Sequence, residues 1–434
     1  MPRSSISDCE GFHRRDFLKF GAGGLFGLTL PQLLRLEAQA AAAAKVKRKA
    51  NAVIMLWLGG GPSHQDMWDL KPGAPDGIRS LFQPIPTKAE GVYISEHLPK
   101  SAQAADKMAI VRSLAHTIPA HGPASVFMTT GNKPTPALAY PSMGSLTAKL
   151  MTTEKGVPAY VSFNNNNAGL AGYLGTAYNP FLVEGSGNSM RVRGIELPSG
   201  VTLDALDKRD KLFKGFDDTF RSLDRSADLV DGLDAFHKKA LDILRSDKTK
   251  KAFDLNQEKA TVRERYGSSS FGKGVLAARR LVEAGVRFAT ISLGGWDTHN
   301  KNFDALSKKQ LPSLDETLSA LVEDLNDRGL LDTTIVYCAG EFGRTPKINK
   351  NAGRDHWSRS MAVALAGGGL KRGYAHGSTD AQGMAPSIDP CTPDDVAATI
   401  FHCLGIDPHS ELNTSTGRPI QLFREGRVIE KLLA

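Results

Sequence analysis

Short, nearly continuous apolar runs recur along this chain and are separated by longer helical or irregular stretches. Strands that are buried on both faces have this character, whereas strands with one wet face alternate apolar and polar residues. Runs that alternate with helical sequence indicate parallel strands. The pattern therefore predicts an α/β fold with a mostly parallel sheet. The predicted strands are residues 52–58, 108–111, 159–163, 287–293, 334–338 and 361–365.

Helical spacing of apolar residues is clearest in three segments, residues 271–284, 303–330 and 393–404. Between residues 164 and 266 the chain turns polar, passing through an asparagine run and Gly- and Ser-bearing loops into charged helical sequence. We interpret residues 164–266 as an insertion or cap on the same domain.

The first forty residues have the three-part build of an export signal. Arg14 and Arg15 precede an apolar, glycine-rich run at residues 20–34, and a small-residue cleavage candidate follows at residues 38–40. The paired arginines resemble a twin-arginine signal. The apolar run is too short for a comfortable membrane span, although an uncleaved anchor is the alternative. The sequence predicts a signal peptide at 1–40, export to the periplasm or cell envelope, and one mature domain at 41–434 without an integral membrane span.

Composition narrows the class of partner. The 434 residues are 41% hydrophobic and 23% charged, which is ordinary for a globular protein and argues against disorder and against a polytopic membrane protein. The net charge of +8 is spread along the chain without a long basic run, so we expect no nucleic-acid partner. A mildly basic surface is compatible with an acidic substrate. Four cysteines are too few for a disulfide framework.

In an open parallel sheet, ligands bind beyond the carboxyl ends of the strands. Five windows that follow the predicted strands are unusually polar, and they contain five of the eleven histidines: His64, His116, His121, His299 and His356. The windows are residues 59–66, residues 116–123, Gly294-Gly295-Trp296-Asp297-Thr298-His299, Gly340-Glu341-Phe342-Gly343-Arg344 and Gly353-Arg354-Asp355-His356-Trp357.

Carboxylates and neutral imidazoles are ligands for divalent cations such as zinc, manganese or iron. Asp297 and His299 lie two residues apart, so both side chains point to one side if the backbone is extended there. Taken alone, such a pair is usually an ordinary loop feature, and Glu341 with Arg344 could be a loop ion pair. Together with His356, at successive strand ends, they predict a shared site. Residues 59–61 form either a backbone anion cradle or a tight turn.

These windows together resemble the DUF1501 family of exported bacterial proteins, which is related to the alkaline phosphatase and sulfatase superfamily. The resemblance extends from the Gly59-Gly60-Gly61-Pro62-Ser63 loop to Leu404-Gly405-Ile406. It implies a single three-layer α/β/α domain, alkaline phosphatase-like, with a metal site at the carboxyl edge of the sheet.

The sulfatase motifs are altered in this chain. Their nucleophile motif, C-x-P-x-R followed by T-G, is matched by residues 121–125 and 130–131, so His121 stands at the nucleophile position and Ser125 replaces the Arg. The paired acidic ligands after the first strand are absent, since Leu58 and Gly59 occupy those positions. A later D-H pair appears as Glu341-Phe342.

The resemblance therefore implies one retained metal site. Asp297, His299 and His356 would hold one divalent ion, either Zn, Mn, Fe or Ca, with Glu341 as a fourth ligand or general base. His121 would act as acid or base, or as the point of covalent attack.

The remaining candidates concern the substrate. Arg344 is a candidate catalytic residue and Arg354 a candidate substrate-binding residue. Either guanidinium could hold an anionic oxygen of the substrate, or either could be structural. His64 and Asp66 could complete the pocket. The predicted function is hydrolysis of phosphate, sulfate or related anionic esters, on a small molecule or a polysaccharide. The alternative is a catalytically inactive relative that binds a glycan or an envelope partner.

Overall fold

The structure is a computed structural model that describes residues 46–163, 170–185, 190–192, 239–240, 242–243 and 245–434. The predicted signal at 1–40 lies outside the described residues, as does much of the predicted insertion at 164–266. Arg48–Ala434 form one compact unit. Among the helices of the described residues, none is both long and apolar enough to cross a membrane.

A nine-stranded sheet runs through the described part of the chain, in the order β9-β2-β8-β7-β1-β6-β3-β4-β5. All six predicted strands are present in it, and three further short strands extend its edges. Its strands are β1 Ala52–Gly59, β2 Met108–Leu114, β3 Tyr160–Phe163, β4 Phe181–Glu184, β5 Arg191–Val192, β6 Phe288–Gly294, β7 Thr334–Ala339, β8 Met361–Ala366 and β9 Tyr374–His376.

Most neighbouring strands of this sheet are parallel, as predicted. β1 lies between β6 and β7 and is parallel to both, while β3 is parallel to β6 and β4. β8 differs, because it pairs antiparallel with β2 and with β7. The chain from β7 to β8 contains no helix that would return it to the amino ends of the strands, as a parallel connection requires. β8 therefore starts where β7 ends and runs in the opposite direction.

Helices cover both faces of the sheet and give a three-layer α/β/α arrangement. Ile54 and Leu56 of β1 pack on one side with Leu318, whereas Met55 packs on the other side with Leu146. Side chains alternate between the two faces of a strand, so β1 contributes to both cores. Among the described residues, the helices whose bounds are defined are α1 Pro99–Ala104, α2 His121–Thr130, α3 Met143–Leu150, α4 Asp247–Phe253, α5 Ala260–Arg265, α6 Ser270–Glu283, α7 Asn302–Ala305, α8 Leu311–Asp327 and α9 Pro393–Cys403.

The helix predicted over 303–330 is present but interrupted. α7 is followed by a π-helical segment, Leu306–Gln310, and then by α8, which ends at Asp327. Pro312 at the start of α8 has no N–H to donate to the preceding turn, which explains why regular α-helical bonding fails there.

Short two-stranded ladders and 3₁₀ turns complete the described fold. The ladder of Gly343–Arg344 with His356–Trp357 lies between β7 and β8. The other ladders are Pro84–Pro86 with Tyr93–Ser95, Ser378–Thr379 with Pro386–Ile388, and Glu411–Asn413 with Pro419–Gln421. The 3₁₀ turns are His64–Asp66, Ala105–Lys107, Gly172–Leu174, Thr176–Tyr178, Leu255–Gln257, Leu331–Thr333 and Glu430–Leu432.

A buried ion pair joins the loop after β1 to the segment before His356. Arg354 Nε donates to Asp66 Oδ2 at 2.8 Å and Arg354 Nη2 donates to Oδ1 at 3.0 Å, and both side chains are 0% exposed. Ser63 and Asn302 also donate to Oδ2. Burial alone would raise the pKa of Asp66, but the charge and hydrogen bonds of Arg354 outweigh it and lower that pKa below its usual value.

His64 lies in the interior beside this pair. Its Nε2 is 3.0 Å from Ser360 Oγ. Burial lowers the pKa of His64 from 6.5 to about 4, and the nearby carboxylates of Asp69 and Asp66 offset only part of that effect. The ring is therefore neutral in the folded protein over a pH range in which it is protonated in the unfolded chain.

Removing one member of the buried pair should destabilise the fold strongly. Asp66→Asn leaves the Arg354 charge buried without its counter-ion, so we expect the free energy of unfolding, measured by urea denaturation, to fall by about 3–5 kcal/mol. The control is Asp76→Asn, because Asp76 pairs with Arg79 at the surface with side chains 91% and 51% exposed. It should change stability by less than about 1 kcal/mol. Equal effects of the two substitutions would contradict this prediction.

Stability should also depend on His64 below pH 6.5. As the pH falls from 6.5 towards 4, the unfolded chain takes up a proton at His64 that the folded protein does not, so stability falls by up to about 1.4 kcal/mol per pH unit. His64→Gln removes this contribution, and its urea midpoint should decline less steeply with pH. His409→Gln, at an exposed histidine, should follow the wild-type curve. Parallel curves for wild type and His64→Gln would refute the assignment.

Candidate functional site

Loops from adjacent strands meet at the carboxyl edge of the sheet. Gly59 pairs with Gly294 at the ends of β1 and β6, so the two following loops leave the sheet at the same level. β7 lies on the other side of β1 and is followed by Glu341. α2 begins at His121, after the carboxyl end of β2. Asp297 and His299, beyond β6, lie at the same edge.

The carboxylate of Asp297 is the centre of a cluster of three imidazoles. Its Oδ1 lies 3.1 Å from His299 Nε2 and 3.3 Å from His356 Nε2. Its Oδ2 lies 3.4 Å from His121 Nε2. The two Nε2 atoms of His299 and His356 are 3.0 Å apart. The structure thus brings together the three predicted metal ligands and the predicted catalytic histidine, and the side chain of Asp297 is 47% exposed to solvent.

The donor atoms and their spacing fit a divalent ion. His121, Asp297 and His356 each offer a ligand atom, and these atoms all lie within 4.8 Å of one another. Tetrahedral ligands that bind one ion at about 2.1 Å are about 3.4 Å apart, which is close to the separations seen here. Imidazole nitrogen with one carboxylate suits zinc, manganese or iron. Metal binding at this cluster, and the identity of the ion, stay predictions.

Each imidazole of the cluster is fixed through its other ring nitrogen. In all three rings, Nδ1 lies against an oxygen atom, which turns Nε2 towards Asp297. The partners are Glu341 Oε1 at 2.5 Å from His121, Asp355 Oδ1 at 2.7 Å from His299 and the Pro119 carbonyl oxygen at 2.9 Å from His356. Oxygen partners of this kind commonly orient histidines that bind metals.

Glu341 is almost fully buried behind the cluster. The backbone N–H of Gly60 donates to both of its carboxylate oxygens, at 2.9 and 3.2 Å. Gly60 has φ +119°, and a Cβ atom there would lie 2.4 Å from the Asp297 backbone nitrogen, so only glycine allows this approach. Residues 59–61 therefore form a tight turn, and the N–H of Gly60 binds a side chain of this protein.

Arg344 ties three of these loops together. Its guanidinium is 0% exposed, and its Nη2 donates to Asp297 Oδ1 at 2.5 Å. Burial would raise the pKa of Asp297, but the hydrogen bond and charge of Arg344 outweigh it and lower that pKa to about 2. The other acceptors of Arg344 are the backbone carbonyl oxygens of Gly60, Gly61, Trp296 and Arg354.

The remaining candidates lie in the interior. Asp66, Arg354 and His64 bond to protein groups as described above, and a substrate-binding role for them stays a prediction. His116 is also buried, and its Nε2 donates to the Glu341 carbonyl at 2.8 Å. Burial lowers the pKa of His116.

Three groups that contact the site residues were not predicted from the sequence. Asp355 lies between Arg354 and His356, which were both predicted as site residues. The signal that could have identified Asp355 is its carboxylate next to a histidine predicted to bind metal. The Pro119 carbonyl and the Gly60 N–H are backbone groups, so no side-chain pattern could reveal them.

The beginning of α2 leaves room for an anionic group. The preceding residue, Ala120, makes no side-chain cap, so the first N–H groups of the helix receive no side-chain acceptor from it. A Cβ built on Gly122 would meet no described atom within 4 Å, and Gly122 is exposed, so the surface of the first helical turn is open at this residue. Such helix ends favour negative charge.

The solved structures that this chain resembles are only distantly similar to it. The crystal structure of Ps i-CgsB in complex with k-i-k-neocarrahexaose is 11% identical, with 83% of this chain and 73% of that chain covered and a TM-score of 0.39. The PsFucS1 sulfatase from Pseudoalteromonas sp. is 13% identical, with 87% and 72% covered and a TM-score of 0.37. The alkaline phosphatase from the Antarctic bacterium TAB5 is 12% identical, with 83% and 99% covered and a TM-score of 0.36. Likenesses this weak do not bear on activity.

No curated protein matches the chain. The family described as "Protein of unknown function (DUF1501)" matches residues 50–433, which is most of the chain. The resemblance seen in the strand-end windows is thereby confirmed, and the chain belongs to the DUF1501 family.

Proposed function

We propose that this protein is an exported, metal-dependent hydrolase of phosphate, sulfate or related anionic esters. The observation that carries the proposal is the convergence of Asp297, His299 and His356, whose ligand atoms lie 3.0–3.3 Å apart at the carboxyl edge of the sheet. The half-exposed carboxylate makes the cluster accessible from solvent. Export by a twin-arginine signal to the periplasm or cell envelope is part of the proposal.

The chain's own residues would supply binding and orientation. A divalent ion bound here would provide Lewis acidity that polarises an ester oxygen and lowers the pKa of water. Arg344 keeps Asp297 ionised and fixed in direction. The open N-terminus of α2 would attract the negative charge of the ester. No hydroxyl or thiol stands at the nucleophile position, since His121 occupies it, so attack by water is the simplest route to hydrolysis.

An anionic polysaccharide or a smaller anionic ester would suit the site as substrate. The side chain of Asp297 is 47% exposed and the surface at Gly122 is open, so one end of a long molecule could remain outside the cluster. Arg344 and Arg354 are both committed to protein acceptors. Recognition of the anion would therefore depend on the cluster and the helix terminus more than on either arginine.

The test combines metal content with turnover. We expect the purified protein to hold one divalent ion by elemental analysis and to hydrolyse at least one of p-nitrophenyl phosphate, bis(p-nitrophenyl) phosphate and p-nitrophenyl sulfate. Asp297→Ala should lose both properties, by more than the about 10–100-fold typical for losing a residue that only orients a ligand. Asp304→Ala, at a surface ion pair with Lys308, is the control. A wild-type protein without metal and without turnover would refute the proposal.

A catalytically inactive protein that binds a glycan or an envelope partner is the second candidate. The presence of His121 at the nucleophile position favours it, because imidazole does not replace a hydroxyl or thiol in that chemistry. This candidate predicts calorimetrically measurable binding of sulfated or phosphorylated glycans that Asp297→Ala abolishes, with no turnover on the ester panel.

A further inference from the structure

We propose that His121 is itself a metal ligand through Nε2, positioned by Glu341, and is neither the acid–base group nor the point of covalent attack. The inference rests on the proposed function, since it concerns the same metal site. It assigns four ligands, three imidazoles and Asp297, and it makes Glu341 a positioning residue.

The partner of His356 fixes where its hydrogen lies. The Pro119 carbonyl can only accept, so the 2.9 Å contact requires a hydrogen on Nδ1 of His356. Nε2 of the neutral ring then carries a lone pair. The carboxylate of Asp355 imposes the same arrangement on His299.

These lone pairs face one another. Nε2 of His299 and Nε2 of His356 are 3.0 Å apart, and neither can donate to the other while both rings are neutral. Both atoms also face Asp297 Oδ1, which is another acceptor. Arg344 Nη2 donates to that oxygen, and the other hydrogen bonds of the guanidinium go to backbone carbonyls. A divalent cation would supply positive charge between the facing ring lone pairs without protonating the rings.

His121 shows the same pattern as the other two rings. Its Nδ1 lies 2.5 Å from Glu341 Oε1, and its Nε2 points at Asp297 Oδ2, the oxygen that Arg344 does not contact. Both oxygens of Glu341 accept from the N–H of Gly60, which holds this carboxylate as an acceptor. Glu341 is therefore occupied in orienting His121 and is poorly placed to bind the ion itself.

As a metal ligand, His121 would have a different part in the reaction from that of an acid–base group. An Nε2 lone pair that binds an ion cannot also take up or deliver a proton, so His121 would contribute to binding and not to proton transfer. The group that attacks the ester would have to come from solvent.

The experiment measures metal affinity separately from turnover. Zinc affinity is determined by competition with a chelator, and the visible spectrum of the Co²⁺-loaded protein reports on coordination. His121→Ala should weaken zinc binding by more than about 100-fold and change the Co²⁺ spectrum. Glu341→Gln, which retains one acceptor oxygen, should weaken zinc binding by about 10–100-fold. His409→Gln, at an exposed histidine, should bind as the wild type does.

The outcomes separate this inference from the proposed function. The inference is supported if the wild type binds zinc and His121→Ala binds it more weakly, provided that circular dichroism and urea denaturation show that the variant is folded. If His121→Ala binds zinc as tightly as the wild type, with an unchanged Co²⁺ spectrum and lost turnover, then His121 is an acid–base group and only this inference fails. A wild-type protein that binds neither zinc nor Co²⁺ overturns both.

Discussion

The arrangement at the edge of the sheet depends on one buried guanidinium. Arg344 donates to backbone carbonyls from three separate loops and to the carboxylate of Asp297. A buried positive charge is costly unless it is paired and hydrogen-bonded. Asp297 supplies the charge and the carbonyls supply the remaining acceptors, so the loops can close around Arg344 only in an arrangement that satisfies it. The direction of Asp297, and hence the position of the whole cluster, follows from that requirement.

A second buried arginine, Arg354, stabilises the same loops on the interior side of the cluster. Arg354 and Asp66 form a pair with neither side chain exposed, and the backbone carbonyl of Arg354 is one of the acceptors of Arg344. The chain at Arg354 is therefore held twice, by its own guanidinium bound to Asp66 and by the guanidinium of Arg344 bound to its backbone carbonyl. The arginines fix the chain segments that carry the cluster, and the Nδ1 contacts with Glu341, Asp355 and the Pro119 carbonyl orient the rings themselves before any ligand binds.

The fold was largely predictable, because buried parallel strands and amphipathic helices leave strong patterns in a sequence. All six predicted strands are present, and the predicted helices begin and end within a few residues of those observed. The reversed direction of β8 was not predictable from its apolar run, since burial on both faces looks the same in either direction. The π-helical segment was not predictable either, because it follows from backbone bonding at Pro312 and not from the spacing of apolar residues.

The candidate site was predictable in its membership and much less so in its contacts. Histidine and carboxylate at successive strand ends identified Asp297, His299 and His356, which the structure brings together. The binding partners of Arg344 could not be predicted, because an arginine that binds backbone carbonyls and one that binds a ligand look the same in a sequence. Contacts such as those of the Pro119 carbonyl and the Gly60 N–H depend on backbone positions alone.

The reversed strand β8 has a consequence for how the protein folds. Because β7 and β8 are paired neighbours, residues 340–360 form a single excursion whose two ends are held together by the sheet. Glu341, Arg344, Asp355 and His356 all belong to this excursion. The entropy cost of closing so short a loop is small compared with joining distant segments. His356 and its neighbours Glu341, Arg344 and Asp355 can therefore come together as a local event during folding, and Asp297 with His299 joins them when β6 docks beside β1.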